Sequence, residues 1–456
     1  MRLRAPLLLL LLLPLSLARG DVPPDVLSAL REGRLAPAEA ALALREAGVS
    51  PDEARALLAT PGSGGAQGRH QATITDAKGR ATPLEVVVPS TPPPAAGYAV
   101  VIALHGLGGK GKQVLPVATR LAPADAIVLA PSAQYLAPEE ENEDMWEVGK
   151  DVPQTESDDP KERRKEALRR LVRAARDQVF PHWWSYRDDS FPLQALAWAS
   201  QRYPIDRDRV VLIGYSMGGY GTWNVGLRYP DRFAGISPMA GGISRKENTG
   251  PRDEPSRALL GNARLLPSFF LHGNADPVVP VRFSRTIDAE LTELGADHTY
   301  IEVEGEGHHL RSFLEGDEDS QRLQEWIAAR RRDPHPRRVE HTALGAYHGA
   351  SYWVRIDALA DKTARVEAEV AEGNTIRVRT RGVTSLTLFL DPTLLQVAAP
   401  VKVELDGALV HEGPVAASLE AVAESWGSRR DPGLVYERML RLQVPAAPAT
   451  SGPRDF

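Results

Sequence analysis

RDRVVLIGYSMGGYG, residues 207–221, runs from charged into strongly apolar residues and then places four glycines around one serine. Residues 209–216 read as a strand with little polar alternation, and GTWNVGLRYP (221–230) reads as the helix that follows. Between them Gly214-Tyr215-Ser216-Met217-Gly218 fits G-x-S-x-G. A sharp turn from strand into helix requires unusual backbone angles at the serine, and glycines on either side remove side chains that would collide across the turn. Ser216 is thereby expected at the carboxyl edge of a sheet, beside the amides that open the helix. Five residues of pattern alone are a glycine-rich turn carrying a serine; the strand before and the helix after are what give the pattern weight.

The neighbouring sequence supplies the rest of that sheet. LEVVVP (84–89), YAVVIALHG (98–106), AIVLAP (126–131), FAGISPMAG (233–241), SFFLHG (268–273) and TYIEVEG (299–305) are short apolar runs without clean alternation, as strands covered on both faces must be. Helical patterns such as 286–296 and 320–332 lie between them. Alternating strand and helix gives an α/β fold with a mainly parallel central sheet. Residues 132–192 are too long for a single crossover and read as a helical insertion. They carry the acidic run PEEENED, a helix with Leu168, Leu171, Val172, Ala175 and Val179 on one face, and the aromatic FPHWWSYRDDSFP.

Outside this unit, which spans about 69–335, the pattern changes twice. Residues 21–68 read as short helices, with starts signalled at Ala36-Pro37 and Ser50-Pro51, followed by the linker PGSGGAQG. Residues 336–456 show period-two alternation and the turn pairs Gly373-Asn374 and Asp406-Gly407, which predict a small antiparallel β domain with a frayed end at 446–456. Tyr352 and Trp353 are adjacent on one of its predicted strands, so one of the two is expected to face outward.

A serine hydroxyl needs a base and an acid to act as a nucleophile. Two loops supply them in the order serine, acid, histidine. Asp276 follows the strand that ends in His272-Gly273, and His308 and His309 follow the strand that ends near Gly305. His308, directly after Gly307, is the chosen base, with His309 as the alternative. Singly, Asp276 is a turn former and either histidine a solvated loop residue; together, each just past a strand, they suit a triad. An oxyanion formed at Ser216 needs two fixed donors, for which the Met217 amide and the Leu107 amide in the His105–Gly108 loop are the candidates. Trp183, Trp184 and Tyr186, with Trp146, are candidate walls of an acyl or sugar pocket, or else pack the insertion onto the main unit. Trp223 is assigned to the core. GLGGKGKQ (106–113) approaches a phosphate loop but has Gln113 where Ser or Thr is required.

Composition narrows the function classes. The 456 residues are 43% hydrophobic and 25% charged with a net charge of −6, which gives no reason to expect a nucleic-acid partner. There is no cysteine, hence no disulfide, thiol nucleophile or thiolate metal site. Residues 1–20, MRLRAPLLLLLLLPLSLARG, have a basic start, an apolar run and small residues at Ala18 and Gly20, as a cleaved secretory signal does. The run is shorter than the ~20 residues of a bilayer span, so the mature protein is expected to be secreted or periplasmic, with no stable membrane anchor.

Over residues 70–332, HGLGG, GYSMGGYGTW, HGNADPVVP and GEGHH resemble the α/β-hydrolase superfamily. Within it they are similar to exported esterases of the feruloyl esterase and poly(3-hydroxybutyrate) depolymerase kind, to phospholipase/carboxylesterase-like enzymes and to prolyl-oligopeptidase-like hydrolases. The resemblance implies that Ser216, Asp276 and His308 are nucleophile, acid and base. It also implies that a small-molecule or polysaccharide-linked ester is the substrate, and that no metal or organic cofactor takes part. The residues before the linker are too few for the propeller of the prolyl oligopeptidases, which weighs against a peptidase. A non-catalytic binding protein on the same fold is the alternative from another class.

Overall fold

The computed structural model describes residues 22–445 except 63, 77–78, 134–182, 184–186, 188–189, 249, 311–314 and 428. The signal-like residues 1–20, Trp146, the predicted insertion helix and the tail at 446–456 lie outside the described residues.

An eight-stranded sheet is built from β1 (Gly68–Thr75), β2 (Ala81–Val88), β3 (Tyr98–Leu104), β4 (Ala126–Pro131), β5 (Ile205–Tyr215), β6 (Gly235–Met239), β7 (Ser268–Gly273) and β8 (His298–Val303), in the order β1-β2-β4-β3-β5-β6-β7-β8. The pairings from β4 through β3 to β8 are parallel, and β1 and β2 add an antiparallel edge. β3 is buried at every position, which accounts for its lack of polar alternation. Its side chains still alternate between two cores. Val100, Ile102 and Leu104 join the cluster formed with helices α5 (Phe191–Arg202), α6 (Met217–Arg228) and α7 (Arg282–Leu294). Ala99, Val101 and Ala103 face α4 (Gly111–Leu121) and α8 (Glu318–Ala329). The smaller residues of β3 therefore lie on the α4 side and the larger ones on the α6 side.

The carboxyl-terminal unit is a pair of sheets rather than one. β9 (Arg338–Ala343), β12 (Ala364–Ala371), β13 (Thr375–Arg381), β15 (Val401–Leu405) and β16 (Ala408–Gly413) form the first. β10 (Ala350–Ser351), β11 (Val354–Leu359), β14 (Val383–Phe389) and β17 (Met439–Gln443) form the second. Both predicted turn pairs are present with positive φ at both residues, 70° and 58° at Gly373-Asn374 and 49° and 84° at Asp406-Gly407. That is the twist a tight hairpin requires. Two features depart from the sequence reading. β13 pairs with β15 in parallel. Tyr352 and Trp353 form the turn between β10 and β11, and both are buried: the Tyr352 amide donates to Asp231 and the Trp353 indole to the Pro336 carbonyl. Alternation fails there because the chain reverses with Tyr352 at a φ of 50°.

The amino-terminal helices α1 (Pro24–Glu32), α2 (Pro37–Glu46) and α3 (Pro51–Leu58) each begin on a proline, and Ser50 and Glu53 make a reciprocal capping box. They pack on α9 (Leu419–Trp426) of the carboxyl-terminal unit, with Leu30, Leu44 and Leu58 against Val422 and Trp426. The Trp426 indole donates to the Leu30 carbonyl at 2.8 Å.

Arg332, just past α8, ties the two large units together. Its guanidinium donates to Asp208 on β5 at 2.7 Å, to Asp431 at 2.8 Å and to the Asp231 carbonyl. Burial pushes the Asp431 carboxyl up, but the charges of Arg332 and Arg207 together with the Arg332 hydrogen bond hold it well below the usual carboxylate range. Arg332→Ala is expected to lower stability by about 3–5 kcal/mol, because it removes the hydrogen-bonded guanidinium partner of a buried carboxylate. A fall in the urea midpoint checks this. Since the folded value of Asp431 lies below the unfolded one, its contribution is present above the ordinary carboxylate range and is lost as pH falls through the folded value.

Candidate active site

β5 ends at Tyr215, and Ser216 takes φ 56° and ψ −118° before α6 begins at Met217. This is left-handed-side backbone at a residue with a side chain, a conformation that costs about 1–3 kcal/mol. The neighbours impose it. A Cβ on Gly218 would lie 2.1 Å from the Leu104 carbonyl oxygen, one on Gly214 would lie 2.3 Å from that of Gly218, and one on Gly219 would lie 2.6 Å from that of Met239. The Ser216 amide donates to the Met239 carbonyl at 2.8 Å, and the Ser216 carbonyl accepts from the Tyr220 amide. The start of α6 is thus pressed onto the ends of β3 and β6, with Ser216 at the apex.

His308, in the loop after β8, has Nε2 2.9 Å from Ser216 Oγ and Nδ1 2.6 Å from Asp276 Oδ2. Because the carboxylate only accepts, Nδ1 carries the proton, and Nε2 accepts from the serine hydroxyl. Asp276, in the loop after β7, also accepts on Oδ1 from the amides of Val278 at 2.7 Å and Val279 at 2.9 Å. Burial pushes its carboxyl up, but hydrogen bonds from His272, from His308 and from those two amides outweigh that, and it is held well below the usual carboxylate range. His309, the alternative base, is exposed, and its ring centre lies 6.1 Å from that of His308.

The Leu107 loop reaches the same point. A Cβ on Gly106 would lie 3.5 Å from the Ser216 Cβ. The Met217 amide is the first of α6, where helix N–H groups have no partner within the helix. His105 braces the loop from below. Its Nε2 accepts from the Ala133 amide at 2.9 Å, so its Nδ1–H donates to the Gly106 carbonyl at 2.7 Å. Burial lowers its pKa, which keeps the ring neutral. The phosphate-loop resemblance of GLGGKGKQ has no counterpart in the donor set: the Gly111 amide donates to Ser132 Oγ and the Lys110 amide to Gln113 Oε1.

Trp183 does not wall an open pocket. It is 4% exposed, lies against Gly221 of α6, and its indole donates to the His105 carbonyl at 2.9 Å. Trp184 and Tyr186 lie outside the described residues. Trp223 is in the core, edge-on to Phe270. Two residues of the site were not picked out from sequence. The Tyr215 hydroxyl donates to the His308 carbonyl at 2.6 Å, and burial raises its pKa so that it remains a donor. His272 lies behind Asp276. Nothing local distinguishes either from an ordinary strand residue. Among the described residues, no three His, Asp or Glu side chains are grouped as metal ligands would be.

A family model described as Phospholipase/Carboxylesterase matches residues 84–313, just over half of the chain. Among solved structures, a thermostable esterase is 23% identical with a TM-score of 0.37; the match covers 58% of this chain and 63% of that one, under two thirds of its length. A ferulic acid esterase from the anaerobic fungus Anaeromyces mucronatus is 17% identical, with a TM-score of 0.35 and coverage of 57% and 88%. A propionate-bound esterase from the planctomycete Thermogutta terrifontis is 15% identical, with a TM-score of 0.39 and coverage of 57% and 92%. No curated protein matches the chain.

The strained turn yields a paired prediction. Gly218→Ala forces a methyl group into the Leu104 carbonyl and should destabilise by about 3 kcal/mol or more. Ser216→Gly relieves the positive φ and should stabilise by about 1 kcal/mol. Thermal unfolding of the two variants, which should shift in opposite directions, checks both.

Proposed function

The chain belongs to the phospholipase/carboxylesterase family of α/β-hydrolases, and from that premise we propose that it hydrolyses carboxylic esters through an acyl-enzyme on Ser216. The observation that carries the reading is the unbroken hydrogen-bonded line from Ser216 Oγ through His308 to Asp276, at 2.9 and 2.6 Å.

In this mechanism Ser216 Oγ attacks the ester carbonyl carbon as His308 Nε2 takes its proton. Asp276, already an anion with its donors in place, stabilises the imidazolium without accepting the proton. The carbonyl oxygen becomes an oxyanion held by the amides of Met217 and Leu107; a donor of this kind contributes about 2.7–4 kcal/mol to the transition state. Collapse expels the alcohol, to which His308 returns the proton, and leaves the acyl group on Ser216. Water then attacks in the same geometry, with His308 again as base, and releases the acid. The substrate is a small-molecule or polysaccharide-linked ester, and the exposed Val278 beside Asp276 offers apolar contact at the rim. The leader-like residues 1–20 support export of the mature enzyme. Among the described residues, no helix is long and apolar enough to cross a membrane.

Ser216→Ala is expected to lower kcat/KM on a p-nitrophenyl ester by about 10⁴-fold or more while leaving the unfolding transition in place. His308→Ala should lose activity on a comparable scale, and His309→Ala should stay within about 3-fold of wild type. A fluorophosphonate probe should label wild type and not the Ser216 variant. Wild-type turnover in Ser216→Ala would remove the reading. The protein recovered from an exporting host should begin near Asp21, which amino-terminal sequencing checks.

A further inference from the structure

A second imidazole lies against the Asp276 oxygen that His308 uses. His272, the next-to-last residue of β7, is fully buried. Its Nε2 lies 2.9 Å from the Val279 carbonyl oxygen and 3.3 Å from Asp276 Oδ2. Both neighbours are acceptors only, so Nε2 carries a proton and shares it between them. On the other side of the ring, Nδ1 lies 2.7 Å from Ser284 Oγ, in the first turn of α7. A hydroxyl both donates and accepts, so Ser284 answers Nδ1, and the imidazole is held at both ends.

Asp276 consequently has four donors. Oδ1 takes the amides of Val278 and Val279, and Oδ2 takes His308 Nδ1–H and His272 Nε2–H. The amides and His308 belong to the loops of the reaction site. His272 is the one donor of the four that belongs to the sheet itself, and it also accounts for the Val279 carbonyl, whose peptide neighbours supply the Oδ1 bonds. The loop around Asp276 is thereby closed onto β7 from both directions.

We propose that His272 is a positioning residue for the reaction: through its Nε2–H it fixes Asp276 Oδ2, and so the ring of His308, in the orientation in which Nε2 faces Ser216. This rests on the ester-hydrolase reading of Ser216. His272 touches no reacting atom and keeps its proton throughout the cycle. Its role is to keep Oδ2 from turning as the charge on His308 changes from neutral to positive and back.

The test uses the full chain and side chains of graded reach. Glutamine at 272 carries its amide nitrogen near the place of Nε2, asparagine carries its amide nitrogen nearer Nδ1, and phenylalanine keeps a ring without a donor. His272→Phe and His272→Asn are expected to lower kcat by about 10- to 100-fold, the loss of one hydrogen bond to a charged group, with little change in KM. His272→Gln is expected to recover most of that loss. Equal damage in the Gln and Phe variants, or a loss confined to KM, overturns the proposal.

Because a fully buried ring is being replaced, wild type provides a second measurement. Nitrogen-edited NMR should find the His272 proton on Nε2, and that signal should move when a fluorophosphonate on Ser216 draws a proton onto His308, since the two rings share Oδ2. A proton on Nδ1 alone, or a signal that stays in place, overturns the assignment. The two levels fail separately. If wild type takes no fluorophosphonate, the esterase reading falls. If wild type labels and the Phe variant labels equally fast, only the role of His272 falls.

Discussion

The contact between Gly218 and the Leu104 carbonyl governs the rest of the site. No side chain fits there, since even a Cβ would approach to 2.1 Å. That absence lets the first turn of α6 lie directly on the end of β3. Because α6 starts so close, Ser216 must turn through a positive φ to connect β5 to it. The cost is about 1–3 kcal/mol, offset locally by the hydrogen bond from the Ser216 amide to Met239 and globally by the apolar residues of α6 buried on the sheet. The same approach brings the loop that follows β3 so near that a Cβ on Gly106 would lie 3.5 Å from the Ser216 Cβ. The position of Ser216, the helix amides and the Leu107 loop are consequences of one close packing of backbone on backbone.

The sheet order then decides which loops can meet Ser216. β3, β5, β6, β7 and β8 are successive parallel neighbours, so the segments leaving their carboxyl ends rise on one side. Asp276 leaves β7 and His308 leaves β8, and both must lean back across β6 to reach the serine on β5. The Tyr215 hydroxyl, hydrogen-bonded to the His308 carbonyl, spans that gap from the strand that leads into Ser216. Its phenol is a dependable donor because burial keeps it protonated. The serine and the histidine are 92 residues apart in the chain, and the latch between them starts one residue before the serine.

Much of this was legible in the residues, and what was not has physical causes. β4 and β7 are runs that are buried throughout, and they emerge with the limits their apolar residues suggest. The elbow was legible because glycine is demanded by sterics there, and the hairpins at Gly373-Asn374 and Asp406-Gly407 because positive φ selects residue type. β1, by contrast, is an edge strand mostly open to solvent, and Ile74 is its one buried apolar residue. α9 lies within an otherwise β-rich stretch and is buried by α1 to α3, a contact made across almost the whole length of the chain. Trp183 is an aromatic whose role depends on what lies above it, and composition does not distinguish a pocket wall from a brace under a loop. His308 was separable from His309 only as a choice, because adjacent residues share every local property and differ in the direction their side chains take.

Three imidazoles surround the site, and their partners give each a different task. His105 accepts on Nε2 from a backbone amide and donates on Nδ1 to a carbonyl, so both nitrogens are bound to groups that cannot exchange roles. It is neutral and static. His272 has two acceptors at Nε2, so that nitrogen cannot give up its proton without leaving the Val279 carbonyl unanswered in a buried place and removing a donor from Asp276. His308 alone combines a fixed proton, on Nδ1 toward Asp276, with a free electron pair facing a hydroxyl that can lose its hydrogen. It is also the only one of the three rings that is not nearly or fully buried, at 11% side-chain exposure, so a charge gained there is partly solvated. In the proposed mechanism the general base is therefore selected by the partners of each ring rather than by the histidine as such. The anionic Asp276 makes the selection effective, because its four donors are satisfied before the proton moves.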